Sequence, residues 1–545
     1  MKRGTNRASF PRRRPVSPVN NPGSGYHERL TRLARAPLGG SLQDNRIGLE
    51  KEGLRVSQTG TIAATPHPAA FGSALTHPYL TTDFSEALLE TITPALSTGR
   101  EVLAFLHALH VFVHRHLGDE FLWATSMPCL PVAGDPIPLA EYGTSNAARM
   151  KMVYRHGLGH RYGRPMQAIA GVHYNFSFSD AFWQLYRELE GRDTELGAFR
   201  SEAYMAVLRN LQRFGWLIPY LFGTSPAVCK TFVQGRSWDL ETFDQNTYYA
   251  PYATSLRTGN IGYQNSRTGG TGMKASYDSL EAYIRSLAWA IRTPCPDYQA
   301  IGVKVGDRYE QLNANMLQIE NEYYSTVRPK QPPRWLEKPS LALRRRGIGY
   351  LELRSLDVNA FHPLGVAEEE LRFLEVFMLF GLLAESPRID ARERRAIDEN
   401  LLAAAHRGRD PELELDRNGR GIRLRRWAGN LLEAMLPAAE LLDGGSGGPG
   451  AESLRRQQAK VRDPERTPSA RMLAEMRANG EGFFAFARRV SEQYRDHFRD
   501  LPLDTEYATL FQRLSRESRE RQRELEETDD MGFDAFLAHY LAQDE

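Results

Sequence analysis

Polar and apolar positions settle into a two-residue alternation at Gly48 to Arg55, which reads GLEKEGLR. Such alternation predicts a strand, and on a strand Glu50 and Glu52 project from one face. The pattern recurs at Ile319–Glu322, where Glu320 and Glu322 share a face, and at Leu351–Arg354, where Glu352 and Arg354 do. Met166 to Phe178 (MQAIAGVHYNFSF) reads as a further strand, with Gln167, Ile169, His173, Asn175 and Ser177 on one face and Val172, Tyr174 and Phe176 on the other.

Helical spacing appears between these runs. An amphipathic pattern begins near His27. Asp83, Glu86 and Glu90 stand at i, i+3 and i+7, which predicts the acidic face of a helix ending near Thr93–Pro94. A second helix is predicted over Glu101–Leu117, and a long buried one over residues 203–229, ending at Gly223 and Pro226. Gln58–Thr61 reads as a turn. Glu141–Arg164, rich in Gly, Tyr, Arg and Asn, suits a ligand-facing loop with a short helix. From Ala367 onward helices dominate, broken at Gly444–Gly450. Ser515–Thr528 is expected to be a charged helix that packs by one narrow face.

Length and composition narrow the class. The 545 residues, 41 % hydrophobic and 25 % charged, describe a globular chain with a large core in one or two domains. No run approaches the 18 apolar residues of a membrane span. The net charge is +2, but residues 1–26 hold Lys2, Arg3, Arg7, Arg12, Arg13 and Arg14 and no acid. The remainder, 63 basic against 67 acidic residues, is near −4, which excludes a nucleic-acid binder on charge grounds. Residues 1–26, basic and proline-rich, are expected to be a disordered tail. A sheet-rich part (27–366) and a mostly helical part (367–545) are expected to follow. Cys129, Cys229 and Cys295 are too few and too widely spaced for a disulfide framework or a zinc cluster. No apolar stretch after the basic start resembles a secretory signal, so a cytoplasmic protein is expected.

The acids then acquire a chemical meaning. Carboxylates side by side repel unless a cation or a shared proton offsets them, and several such faces in apolar settings suggest a cage for hard divalent cations. An arginine beside a metal-binding acid, as Arg354 is beside Glu352, is what phosphoryl transfer uses to hold developing charge. His173 on a polar strand face is a further candidate ligand. His107, His110 and His114 also share a helical face, but no acid accompanies them and apolar residues flank them, so they read as packed side chains. Tyr248–Tyr263 is polar and aromatic and offers Arg257 and Tyr263 to a ligand. Thr268–Ser276 is glycine-rich, yet its lysine does not follow the glycine directly as a phosphate loop requires, so it reads as a surface loop.

The segments GLEKEGLRV, GSALTHPYLTTDFSEALLE, SMPC, EYGTSN, GVHYNFSF, YYAPYATSLR, LQIENEYY and YLELRSLDVN, in this order, resemble the single-chain bacterial glutamate–cysteine ligases. That resemblance implies an α+β fold with a mostly antiparallel, funnel-like sheet similar to the catalytic core of glutamine synthetase, helices around it and a helical C-terminal part. It implies joining of the L-glutamate γ-carboxylate to the L-cysteine amine with ATP, through a γ-glutamyl phosphate, by a monomer without nucleic-acid or membrane partners. The matching Mg2+ ligands, with Mn2+ able to substitute, are Glu50, Glu52, Asp83, Glu90, His173 and Glu352. The matching phosphoryl-stabilising residue is Arg354. The family's cysteine pocket matches Phe84, Tyr154, Leu158, Gln167, Arg257, Tyr263 and Tyr324. The alternative is a Mg-ATP ligase of the same fold with another amine acceptor. The basic start and the glycine-rich insert near Gly270 depart from the family pattern.

Overall fold

The computed structural model describes residues 23–38, 40–130, 137–233, 238–262 and 273–543. Its centre is a seven-stranded sheet. The strands are β1 (Arg46–Val56), β2 (Leu80–Thr82), β3 (Leu88–Ile92), β4 (Phe121–Leu122), β5 (Gly171–Ser177), β6 (Val327–Lys330) and β7 (Tyr350–Asp357). They lie in the order β6-β7-β5-β1-β3-β2, with β4 also on β1, and every pair is antiparallel. The expected antiparallel sheet with helices outside is what the chain forms.

The alternation of β1 works as read. Glu50 and Glu52 face the cavity described below, whereas Lys51 is buried behind the sheet, where desolvation lowers its pKa to about 8. Helix Gly99–His116 packs against β1 and β3. It starts with a capping box in which Thr98 and Glu101 satisfy each other's backbone N–H groups. His110 and His114 are buried, and His114 stacks on Phe498 with 5.1 Å between ring centroids. His107 and His110 also lie against Phe498, at 5.6 and 5.5 Å between ring centroids, so His107, His110 and His114 have a packing role. Helix Glu368–Leu383 is buried on nearly every side and packs on helices Leu196–Arg213, Leu424–Asp443 and Pro449–Arg462. No helix is long and apolar enough to cross a membrane among the described residues.

Several predicted elements differ. The acidic stretch 83–93 is not a helix: it forms the β2–β3 hairpin, because pairing along β1 offers Leu88–Ile92 backbone partners and burial that an isolated helix lacks. Residues 203–229 are not one helix either. Helix Leu196–Arg213 stops before Gly215, a second helix covers Leu217–Phe222, and Ala227–Cys229 is a strand. Residues 141–164 hold a full helix, Asn146–Tyr162, rather than a short one. Gln167 lies in a helical turn, Arg164–Gln167, not on the strand of His173. Glu320–Glu322 form a 3-10 turn.

Residues 1–22 of the expected tail lie outside the described residues, but its last residues belong to a helix. Helix Ser24–Arg35 includes Tyr26, which is fully buried and donates a 2.6 Å hydrogen bond to the carbonyl of Ala434. The cysteine expectation is also corrected. Cys129 and Cys229, 100 residues apart, are joined by a disulfide, since the two segments meet with Cα atoms 5.6 Å apart. Sequence separation does not forbid a bridge; distance in the fold decides.

Candidate active site

Strand register assembles the site. In β1, Glu52 stands directly opposite Glu90 of β3, and Glu50 directly opposite His173 of β5. In β7, Glu352 stands opposite Asn175 of β5 on one side and Arg328 of β6 on the other. Five neighbouring strands thereby place their polar faces in one row along one wall of a cavity of about 710 Å³, a volume suited to small ligands.

The contacts along that row are close. Glu50 accepts from Asn175 Nδ2 at 2.9 Å, and its other oxygen lies 2.9 Å from His173 Nδ1. His173 Nε2 is 3.6 Å from Glu52, whose second oxygen accepts from the Gly171 backbone N–H at 2.6 Å. Glu352 Oε1 is met by Arg354 Nη1 at 3.1 Å and by Lys330 Nζ at 3.3 Å. Its Oε2 is buried and has no hydrogen-bond donor among the described residues. One ligand atom each from Glu50, Glu90 and His173 lie within 4.8 Å of one another. Asp83, at the hairpin turn, completes the acidic side.

The row is electrically lopsided. Burial raises the pKa of Glu90 well above the ordinary carboxyl range, and Glu50, Asp83 and Glu52 push it further. Glu52 is also raised, again chiefly by burial. At the other end burial opposes ionisation of Glu352, but Lys330, Arg354 and Arg328 outweigh it and hold its pKa well below normal. Burial likewise disfavours the Arg354 charge, yet Glu352, Glu52 and Glu50 raise its pKa further still. At the Glu90 end burial and the neighbouring acids prevail, whereas at the Glu352 end the cations do.

The six expected pocket residues that fall within the described chain, Phe84, Tyr154, Leu158, Gln167, Arg257 and Tyr324, line the same cavity. Tyr324 Oη lies 2.8 Å from Nε2 and 2.9 Å from Oε1 of Gln167. Arg257 is held by its surroundings: Nη2 donates to the Arg354 carbonyl at 3.0 Å, and Nη1 is 3.8 Å from Asp357. The guanidinium crosses where a Cβ on Gly171 would come within 1.9 Å of it, so any side chain there would push Arg257 from this position. Tyr263 and most of the glycine-rich insert lie outside the described residues.

One expectation fails here. Glu320 and Glu322 do not join the acidic row. Glu322 is fully buried in a pair with Arg161 Nη1 at 2.8 Å and accepts from Tyr162 at 2.9 Å, while Glu320 accepts from Ser340. The cavity also has a cationic wall that the sequence pattern does not show: Lys151, Arg155, Arg328 and Lys330 all line it. The one signal for Arg328 and Lys330 was their strand-like VRPK run shortly before YLELR, but nothing local says that the two pair.

Comparison with known proteins decides the family. A profile of glutamate–cysteine ligase matches residues 30–404. The chain belongs to the glutamate–cysteine ligase family. The glutamate–cysteine ligase of Alcanivorax borkumensis is 46 % identical over 521 residues, covering 94 % of this chain and 99 % of that one. That of Pseudomonas entomophila is 47 % identical over 496 residues, covering 91 % and 93 %. The solved structure of glutamate–cysteine ligase from Francisella tularensis in complex with AMP superposes with a TM-score of 0.85 at 34 % identity, over 91 % of this chain and 97 % of that one. The expectation of a glutamate–cysteine ligase drawn from the motifs is met, and the same-fold ligase with another amine acceptor is not favoured.

Proposed function

We propose that this chain forms γ-glutamylcysteine from L-glutamate, L-cysteine and ATP through a γ-glutamyl phosphate, on the row of charges across β3, β1, β5, β7 and β6. The observation that carries the reading is the juxtaposition of Glu52 and Glu90 across β1 and β3, beside Glu50 and within one cavity with Arg354 and Lys330. Like charges directly opposite in a sheet destabilise it unless a cation or a proton offsets them, and a bound cation restores both carboxylates to their charged form.

The residues fit a divalent cation. Glu50, Glu90 and His173 offer ligand atoms within 4.8 Å, and Glu352 keeps a buried oxygen with no donor among the described residues. Glu50, Glu52, Asp83, Glu90, His173 and Glu352 would hold Mg2+, for which Mn2+ could stand in as another oxygen-preferring ion. When bound, the ion offsets charge on the ATP phosphates and on the phosphoryl group in transfer.

The rest is the work of the chain. A carboxylate is a poor electrophile, so the glutamate γ-carboxylate must first attack the γ-phosphorus of ATP, breaking its bond to the bridging oxygen and expelling ADP, to become an acyl phosphate. Arg354 reaches the cavity beside the acidic row and stays cationic, so its fork is placed to hold the phosphoryl oxygens. Phe84 and Leu158 supply an apolar surface for the cysteine side chain. The Gln167–Tyr324 pair and Arg257 supply polar contacts that orient its amine toward the acyl carbon. Attack by that amine, as the neutral –NH2 group, breaks the bond from the acyl carbon to the phosphate oxygen, the amine proton leaves with the phosphate, and Lys330 and Arg354 offset the oxyanion formed on the way.

Phosphate release with ATP, Mg2+ and glutamate, compared for cysteine, 2-aminobutyrate and ammonia, tests the reading. Release dependent on cysteine, with a γ-glutamylcysteine product, is expected; faster release with ammonia would overturn it.

A further inference from the structure

The helix that carries Tyr154 and Leu158 to the substrate cavity carries two histidines on its other side. His156 and His160 lie one turn apart, and their ring centroids are 4.6 Å apart. Glu310, buried just after the Lys304–Tyr309 hairpin, reaches both: its Oε2 is 2.8 Å from His160 Nε2 and 3.5 Å from His156 Nδ1. One ligand atom from each of the three lies within 4.8 Å of the others. Neither histidine lines the substrate cavity, so the cluster is separate from the acidic row.

We infer that His156, His160 and Glu310 form a binding site for a borderline transition-metal ion of the Zn2+ class, distinct from the site for the hard cation. The donor set is two imidazoles and one carboxylate, which suits such ions, and two histidines at i and i+4 present their nitrogens to one point. Donors on a tetrahedral Zn2+ ion stand about 3.4 Å apart for bonds near 2.1 Å, and the separations of 2.8 and 3.5 Å bracket that value.

The carboxylate is already divided in its duties. Arg308 Nε holds Oε1 at 2.7 Å, which fixes the group and leaves Oε2 to the imidazoles. An outer partner of this kind orients a metal ligand. His156 Nδ1 also lies 3.3 Å from the Tyr309 carbonyl, and that contact would be given up when Nδ1 turns its lone pair to the ion. The bare alternative is that a protonated His160 and Glu310 form a salt bridge tying the helix to the hairpin.

The test is Zn2+ titration of the untagged, full-length enzyme by calorimetry in millimolar Mg2+, run beside Glu90→Gln so that any Zn2+ taken up by the acidic row is told apart and subtracted, with Co2+ absorption as a spectroscopic check of imidazole ligation. One Zn2+ per chain is expected, together with a rise in Tm. Affinity should fall at least about tenfold in His160→Ala and in Glu310→Gln, the scale of a disturbed metal ligand shell. His160 is partly exposed, so that variant should fold even where the buried Glu310→Gln does not. Absence of Zn2+ binding, or one equivalent bound with unchanged affinity by His160→Ala, would overturn the site.

Discussion

Arg354 Nη1 lies 3.1 Å from Glu352 Oε1, two residues back on the same strand, and Lys330 Nζ shares that oxygen at 3.3 Å. Glu352 therefore already has one cation besides Arg354. The Arg354 guanidinium remains partly open to the cavity. If it meets the phosphoryl group as charge develops, its contribution belongs to the transition state rather than to ATP binding. Arg354→Lys keeps the charge and loses the planar fork. We expect kcat to fall by about 10²-fold or more with little change in the KM for ATP, on the scale of a lost oxyanion donor. An active but less stable lysine variant would reduce Arg354 to a partner of Glu352.

The acidic row makes the opposite kind of prediction. Burial, then Glu50, Asp83 and Glu52, favour the protonated form of Glu90 in the absence of a cation, so a neutral glutamine in its place should not weaken the empty protein. Glu90→Gln is expected to abolish turnover while its Tm without divalent ions equals or exceeds that of the wild type. Mg2+ alone should raise the wild-type Tm and have a smaller effect on the variant. Near wild-type turnover at saturating Mg2+ would remove Glu90 from the cation site.

Much of this row was legible along the chain because it lies on strands whose alternation is local. Glu50 with Glu52 and Glu352 with Arg354 needed only the two-residue period. Glu90 was found as a residue and misread as an element. Its spacing from Asp83 and Glu86 happens to match a helix, but Leu88–Ile92 pairs with β1 more than thirty residues upstream, a contact that no local pattern records. Glu320 and Glu322 fail the other way: the alternation is present, yet Arg161 and Ser340 claim both carboxylates from distant segments. The disulfide, Asp357 behind Arg257, and the basic wall are likewise products of long-range packing.

The bridge between Cys129 and Cys229 leaves Cys295 as the one free thiol among the three cysteines. Thiol titration of the unfolded, unreduced protein should give one equivalent, and three after reduction. Closing a loop of 100 residues should contribute about 2–4 kcal/mol, so Cys129→Ser with Cys229→Ser is expected to lower stability by that order. Three thiols before reduction would mean that the purified protein lacks the bridge.

Glu370 sits in the first turn of the buried helix Glu368–Leu383, away from the row of charges. Its Oε2 accepts from the Ala367 backbone N–H at 2.7 Å and its Oε1 from Asn359 Nδ2 at 3.0 Å. Those bonds and Lys460 favour the carboxylate, but burial outweighs them and lifts the pKa from 4.5 to about 7. Between those two values the folded state holds a proton that the unfolded state has lost. The unfolding free energy therefore falls as pH rises through this window. The contribution is complete below the ordinary carboxyl pKa and is gone above the raised one. Glu370→Gln cannot titrate, and the other groups, including the similarly raised Glu375, are common to both proteins and largely cancel in the comparison. Denaturant unfolding of the pair at several pH values from 5 to 8 should show the wild type losing stability relative to Glu370→Gln as pH rises, levelling off above the raised pKa. A difference that stays constant across the series would mean that Glu370 ionises at its ordinary value, with its two hydrogen bonds outweighing burial.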